Sequence, residues 1–218
     1  MTNMFQFWAG IFPKLFGGLI VSLELTALSL LIGLPLGLLL ALGVSSRFKP
    51  LSWLSIALVE IGRGAPALVV LYVVYFGLPA LHWSPTAFLC AVIGLTYTTA
   101  AYAGEYLRGG LRSVNAGTIE AGQALALTNV DVLRFVIIPQ GLRVAIPSLM
   151  GLAIQIFQVT SLTYSITVSE LTANAYSISN QTFRALETFA LAGLMYAAIT
   201  IPASWVTRQV ERRMSLGQ

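Results

Sequence analysis

Residues 15–44 run for thirty positions with a single charged side chain, Glu24. A helix needs about 20 mainly apolar residues, each rising ~1.5 Å, to cross the hydrocarbon core of a bilayer, so this segment is long enough to cross. Four more segments repeat the pattern: about 63–80, approached by an amphipathic stretch Leu51–Ile61; about 86–107; from Pro139, fading near Tyr164; and about 187–207. The apolar runs are continuous rather than alternating, which excludes a transmembrane β-barrel. With 57% hydrophobic and 9% charged residues and a mean hydropathy of +0.83, the chain has too few charges to cover a soluble globule. The expected fold is all-α and integral to the membrane, with five transmembrane helices in one domain, 1–218. The first ten residues lack a basic region and the apolar run behind them is too long for a cleaved leader, so the first span is expected to remain.

Lysine and arginine set the expected orientation. Arg47 and Lys49 follow the first span, Arg108, Arg112, Arg134 and Arg143 the third, and Arg208, Arg212 and Arg213 the fifth. Five spans place these groups on one side, facing Lys14, Arg184 and His82 on the other. The positive-inside rule then puts the N-terminus outside and the C-terminus in the cytoplasm. The net charge of +4 is a topology signal, not the footprint of nucleic acid. Cys90 is the only cysteine, so no intrachain disulfide or cysteine-based metal site is available. One histidine and no close carboxylate cluster argue against a membrane enzyme. A secondary transporter or channel is the other class to weigh, and it calls for internal repeats and usually more spans.

Glu120–Gln140 differs from everything around it. Ala121, Gly122, Ala124 and Ala126 suit a short helix of little bulk. Thr128 with Asp131 is a capping-box-like start for a second helix through Val132, Leu133, Phe135, Val136 and Ile137, and Pro139 punctuates the fourth span. Glu120-Ala121-Gly122, three residues, Ala126, nine residues, then Val136-Ile137-Ile138-Pro139 resembles the EAA loop of bacterial ABC importer permeases, whose pattern is Glu-Ala-Ala, three residues, Gly, nine residues, Ile, one residue, Leu-Pro. Gly122 stands for an alanine and Ala126 for the glycine. The segments GGLIVSLELTALSLLIGLPLGLLLAL, VEIGRGAPALVVLYVVYFGLP, AYAGEYLRGGLRSV, IIPQGLRVAIPSL and RQVERRM look like the polar amino-acid branch of that family, over roughly residues 17–213.

The resemblance implies a type I ABC importer permease fold in the bacterial inner membrane, working as an importer of polar amino acids or their derivatives. Glu120, Ala121, Gly122 and Ala126 would form the coupling element, within a loop of about 109–139, that docks on a separate ATPase dimer. ATP and magnesium would be bound there, with no cofactor in this chain. The residues agree with borrowed energy, because neither Lys14 nor Lys49 follows a glycine and a phosphate-binding loop needs Gly-Lys-Ser/Thr. Five helices are few to enclose a path, so a second permease, identical or related, is expected. Gly33, Pro35 and Gly37 suit that interface or close packing within one subunit. The polar segment of about 165–186 would face an extracytoplasmic solute-binding protein, or be a solvated connecting loop.

Thr98 and Thr99 fall where the family commonly has Asn-Ser beside the substrate, and Gln158-Val159-Thr160-Ser161 where it has Lys-Asp-Thr-Ser. With Gln155 these are the candidate solute-site residues. Glu24 joins them as an ionisable group inside a span, although from the outer third of that span it could also reach the interface. Arg63, Gly64 and Pro66 match an Arg-Gly-Thr-Pro element, with Ala65 for threonine, and are expected to form a hinge at which Glu60 and Arg63 pair at i,i+3.

Overall fold

The computed structural model describes residues 3–215, nearly all of them helical. Helix α1, Met4–Val44, is 41 residues long, so it begins well before the predicted span. At ~1.5 Å per residue it is about 60 Å long, twice a hydrocarbon core. One stripe of it is small: Gly18, Ser22, Thr26, Ser29, Gly33, Gly37 and Ala41 are all buried. These steps of three and four residues form a shallow groove along the helix, and α4, Ala87–Arg112, lies in it. A Cβ on Gly33 would stand 2.7 Å from Thr99, and one on Gly37 would stand 2.7 Å from Ala103 and 2.9 Å from the Ala100 carbonyl oxygen. Gly33 and Gly37 are therefore used inside the subunit.

The contacts of Gly33 with Thr99 and of Gly37 with Ala103 both ascend along the chain, so α1 and α4 run parallel. The segment between them must return across the bundle. It does so as a bent pair: α2, Lys49–Gly64, and α3, Ala67–Ala80, meet at 110°. Pro66 has no N–H to donate and Ala65 before it is extended, at φ −81° and ψ 135°, which ends α2 there. The predicted second span, 63–80, is thus no straight helix. Alone, α3 is 14 residues long, about 21 Å and too short to cross. Among the described residues four helical stretches are long and apolar enough by themselves, and the bent pair has the length and composition of a fifth, broken span.

After α4 come two short helices, α5, Ala116–Ala124, and α6, Asn129–Val132. A π-helical turn, Leu133–Ile137, runs into α7, Ile138–Val159, which continues as a 3₁₀ stretch, Thr160–Ile166. Helices α8, Leu171–Thr182, and α9, Ala185–Ser215, complete the chain. Helix α7 crosses α4 where both lack side chains: a Cβ on Gly110 would stand 2.5 Å from the Gly141 carbonyl oxygen. Two larger apolar clusters hold the bundle, one around Leu15, Phe157, Leu171 and Met195, the other around Leu25, Leu71, Leu95 and Ile166.

Candidate functional site

The break at Ala65-Pro66 opens a cavity of about 230 Å³ between α2, α3, α4 and α7. Arg63, Gly64, Ala65, Pro66 and Ala67 form one wall, Thr98 and Tyr102 the second, and Leu152, Gln155, Ile156 and Val159 the third. The bend leaves the last carbonyls of α2 without helical partners, and α4 supplies tyrosines to this helix, one of them to a freed carbonyl. Tyr102 donates its hydroxyl to the Arg63 carbonyl at 3.3 Å, and Tyr97 donates to that of Leu58 at 2.8 Å. Arg63, in the last turn of α2, complements the negative end of that helix. Its guanidinium lies 3.9 Å from Glu60, the predicted pair, and 3.5 Å from Glu105. Glu105 in turn takes a hydrogen bond from Arg108 Nε at 3.0 Å. The arrangement presents a partly exposed cation, a hydroxyl, a phenol and an amide over an apolar floor.

Of the candidate solute residues, the structure brings Thr98 and Gln155 together with the whole Arg63-Gly64-Pro66 element. Thr98 also donates to the Gly94 carbonyl at 3.2 Å, as a helical threonine does. Thr99 and Thr160 are not brought there. Both are fully buried, with hydroxyls donated at 2.7 Å to the carbonyls of Leu95 and Phe157. Thr99 instead fills the groove left by Gly33. Gln158 is exposed on α7 one turn beyond Gln155, Ser161 is half-buried, and Glu24 is exposed on α1; none lines the cavity. Tyr102 and Glu105 were missed by sequence reading. Thr98, Tyr102 and Glu105 lie at i, i+4 and i+7, a one-face spacing that could have found them.

At the end of the bundle reached by α4, α5 presents Glu120 and Ala121 to solvent, whereas Gly122 is buried. A Cβ on Gly122 would sit 3.4 Å from Val132 and 3.7 Å from Leu127, ordinary contacts, so this departure from the EAA pattern is sterically free. The other departure is not. Ala126 lies outside α5 with φ 60°, and the Leu127 N–H donates to the Gly122 carbonyl at 3.3 Å. That is a Schellman turn, whose left-handed position favours glycine. The Thr128–Asp131 capping box is formed, with Asp131 N–H donating to Thr128 Oγ1 at 3.2 Å and Thr128 N–H to Asp131 Oδ2 at 3.3 Å. Leu125, Val130 and Phe135 around this turn are 78%, 70% and 63% exposed, an apolar patch on an otherwise polar end.

At the opposite end the segment 165–186 is not a solvated connecting loop. It folds into α8, which packs on α1 and α9. Its N-cap is Glu170, fully buried and unrecognised in the sequence. The carboxylate accepts from the N–H groups of Thr172 and Ala173 at 2.7 and 2.8 Å, from the Tyr196 hydroxyl at 3.0 Å and from the Ser22 hydroxyl at 3.4 Å. Burial pushes its carboxyl above the usual range, against the hydrogen bonds that favour the charged form. Gly18 provides the room, since a Cβ there would stand 2.8 Å from the Glu170 carbonyl oxygen.

The L-cystine transport system permease protein TcyB of Bacillus subtilis (strain 168) is 35% identical over 210 residues, 96% of this chain and 88% of its own length. The octopine transport system permease protein OccM of Rhizobium meliloti is 35% identical over 209 residues, 92% of this chain and 85% of its own length. A crystal structure of an amino acid ABC transporter with histidines superposes with a TM-score of 0.92 at 32% identity, covering 98% of this chain and all of that one. An inward-facing MetNI methionine ABC transporter shares the fold at 17% identity and a TM-score of 0.69, covering 98% of this chain and 99% of its own. The fold is that of type I ABC importer permeases. With residues 33–216 matched as well, the chain belongs to the family of binding-protein-dependent transport system inner membrane components.

Proposed function

We propose that this chain is the permease subunit of an ATP-driven importer of polar amino acids or amino-acid derivatives, working with a second permease, a separate ATPase dimer and an extracytoplasmic solute-binding protein. The observation that carries the reading is the cavity at the helix break, where Arg63, Thr98, Tyr102 and Gln155 face one another at the depth where a spanning helix is interrupted. Backbone that departs from a helix inside a membrane is tolerated where it is buried or lines a path. Relatives carry the names of L-cystine, arginine, octopine and glutamate/aspartate systems. These solutes share an α-carboxylate, and Arg63 is the cation in the cavity to meet it. With glutamine at 158 and valine at 159, neither a lysine nor an aspartate is added at those positions.

Energy enters at the other end. Glu120 and Ala121 on α5, with the apolar patch beside them, form the docking element within 109–139, and ATP and magnesium are bound by the partner. The chain lies in the bacterial inner membrane with its N-terminus outside, and α8 faces the solute-binding protein. Reporter fusions at Phe7 and Ser177 should then read outside and one at Asn115 inside.

The test is uptake of labelled amino acids by the transporter reconstituted with its ATPase and binding protein. Thr98→Ala and Gln155→Ala should each weaken apparent affinity about ten- to a hundredfold, the loss of a hydrogen bond to a charged solute, with ATPase docking intact. Ala121→Trp should abolish ATPase co-purification and stimulated hydrolysis with membrane insertion unchanged. Wild-type affinity in both cavity variants would reject the site, and full stimulation with tryptophan at 121 would reject the docking element.

A further inference from the structure

On the far side of α4 from the solute cavity lies a second, larger concavity, about 640 Å³, between α1, α2 and α4. Its walls are apolar: Leu36 and Leu39 from α1, Leu54 and Leu58 from α2, Val92 and Ile93 from α4. On α4 the stripe Leu89, Ile93, Thr96 and Ala100 lines it, while Thr98 and Tyr102 line the solute cavity. At ~100° per residue, Thr98 is about 200° from both Thr96 and Ala100. The two openings therefore look in opposite directions. If the solute path lies on the Thr98 face, the second permease that encloses it closes that face and leaves the apolar groove toward the bilayer. This step rests on the functional reading above.

Leu40 and Leu51, which line the groove, flank the α1–α2 turn in the chain, and the turn is basic. Arg47 and Lys49 are exposed, and among the described residues neither makes an ion pair. No carboxylate occurs between Glu24 and Glu60 to offset them. Helix α2, 16 residues long, begins beside them without a side-chain cap, so its free N–H groups add a partial positive charge. Exposed Phe48 and Trp53 flank the spot, as aromatic residues do at a membrane interface. The turn itself is tied to both helices. Ser52 donates to the Val44 carbonyl at 2.9 Å, and a Cβ on Gly43 would stand 2.2 Å from Ser55 Oγ. Tyr97, bonded to the Leu58 carbonyl, fixes the groove's α2–α4 edge. Two basic side chains over an apolar channel that opens sideways match one kind of occupant.

We propose that the α1–α2–α4 groove is a specific site for an anionic phospholipid, with one acyl chain between Leu36, Leu39, Leu54 and Leu58 and its phosphate at Arg47 and Lys49. Bound there, the lipid fills the angle between α2 and the bundle and so supports the bend that opens the solute cavity on the other face. Each basic side chain near a membrane surface favours an anionic headgroup about fivefold, so the pair supplies roughly thirtyfold over a zwitterionic lipid.

The test uses the full-length chain purified in detergent and titrated with phosphatidylglycerol or phosphatidylcholine of identical acyl chains, read by native mass spectrometry. One phosphatidylglycerol should bind with roughly thirtyfold preference. Arg47→Gln with Lys49→Gln should reduce that preference to near unity, and Leu39→Trp should weaken both lipids by filling the channel. Equal binding of the two lipids, or a preference untouched by the double variant, overturns the proposal. Leu39→Cys in a Cys90→Ala chain covers the remaining occupant: oxidation in native membranes should give no cross-linked dimer, and a covalent dimer would place a second permease in the groove and overturn the lipid site. None of these readouts uses the solute cavity, so their failure leaves the uptake results of Thr98→Ala and Gln155→Ala to stand or fall separately.

Discussion

Ala126→Gly should stabilise the turn that ends α5. Ala126 has φ 60° and caps α5 in a Schellman turn, with Leu127 N–H donating to the Gly122 carbonyl at 3.3 Å and Leu125 N–H to that of Ala121 at 3.2 Å. A Cβ in the left-handed region costs roughly 1–2 kcal/mol. Glycine removes that strain but adds about 0.5–1 kcal/mol of backbone entropy to the unfolded chain. The surplus is about 0.5–1 kcal/mol in favour of glycine. Because the turn is solvent-facing at one end of the bundle, its opening is local, and this surplus lowers the open fraction by roughly two- to fivefold at ~1.4 kcal/mol per factor of ten. The assay is hydrogen exchange of the peptide covering 121–128 in detergent, comparing wild type with Ala126→Gly and Ala126→Val. Glycine should slow exchange by that factor. Valine, β-branched at positive φ, should speed it by more than glycine slows it. Unchanged protection with glycine, or valine as well tolerated as alanine, would refute the strain assigned to this position.

Gly37→Val should cost about 1–3 kcal/mol by overpacking, because the new side chain meets Ala103 Cβ at 2.7 Å and backbone atoms of Ala100 and Gly104 at 2.9 and 3.0 Å; lower yield of folded chain and a lower thermal midpoint measure it. Gly64→Ala, where a Cβ meets nothing within 4 Å and φ is not positive, is the control and should leave both unchanged or slightly raised. Glu170 lies outside the long spanning helices, and its carboxyl is raised by burial. A carboxyl that binds its proton more tightly when folded contributes most below the unfolded value near 4.5, and that contribution is lost as pH rises toward the raised folded value. Glu170→Gln should flatten the decline of thermal stability with pH above 4.5, and an unchanged slope would show that Glu170 is not the linked group.

The membrane class, the four unbroken apolar segments and the EAA spacing were legible in the sequence, because each rests on local or strictly periodic information, whereas the second span, expected at 63–80, is a bent pair that begins at Lys49. Hydropathy over twenty residues reports cost of transfer, which depends on composition and not on neighbours. The Thr128–Asp131 capping box and the end of α2 at Pro66 are local as well: the hydrogen bonds concerned lie within four residues. The glycine that the EAA pattern carries where Ala126 stands also has a local cause, since a left-handed cap is a property of one residue's backbone.

What only the tertiary structure decided is which polar groups share a space. Thr98 and Thr99 are chemically equal and adjacent, yet one lines the cavity and the other is locked against Gly33, because successive residues on a helix point about 100° apart and the sequence does not say which side a neighbour occupies. Glu105 reaches Arg63 across 42 positions of sequence, and Glu170 reaches Ser22 across 148. Glu170 was read as part of a polar outer segment because its exposure could not be known; its burial follows from Gly18 on α1 and Tyr196 on α9, two helices distant in sequence that meet only in the folded bundle. Hydropathy determines that a segment enters the membrane. Which of its faces meets lipid, solute or another helix is set by the packing of small residues, and that is a property of pairs of helices, not of any one of them.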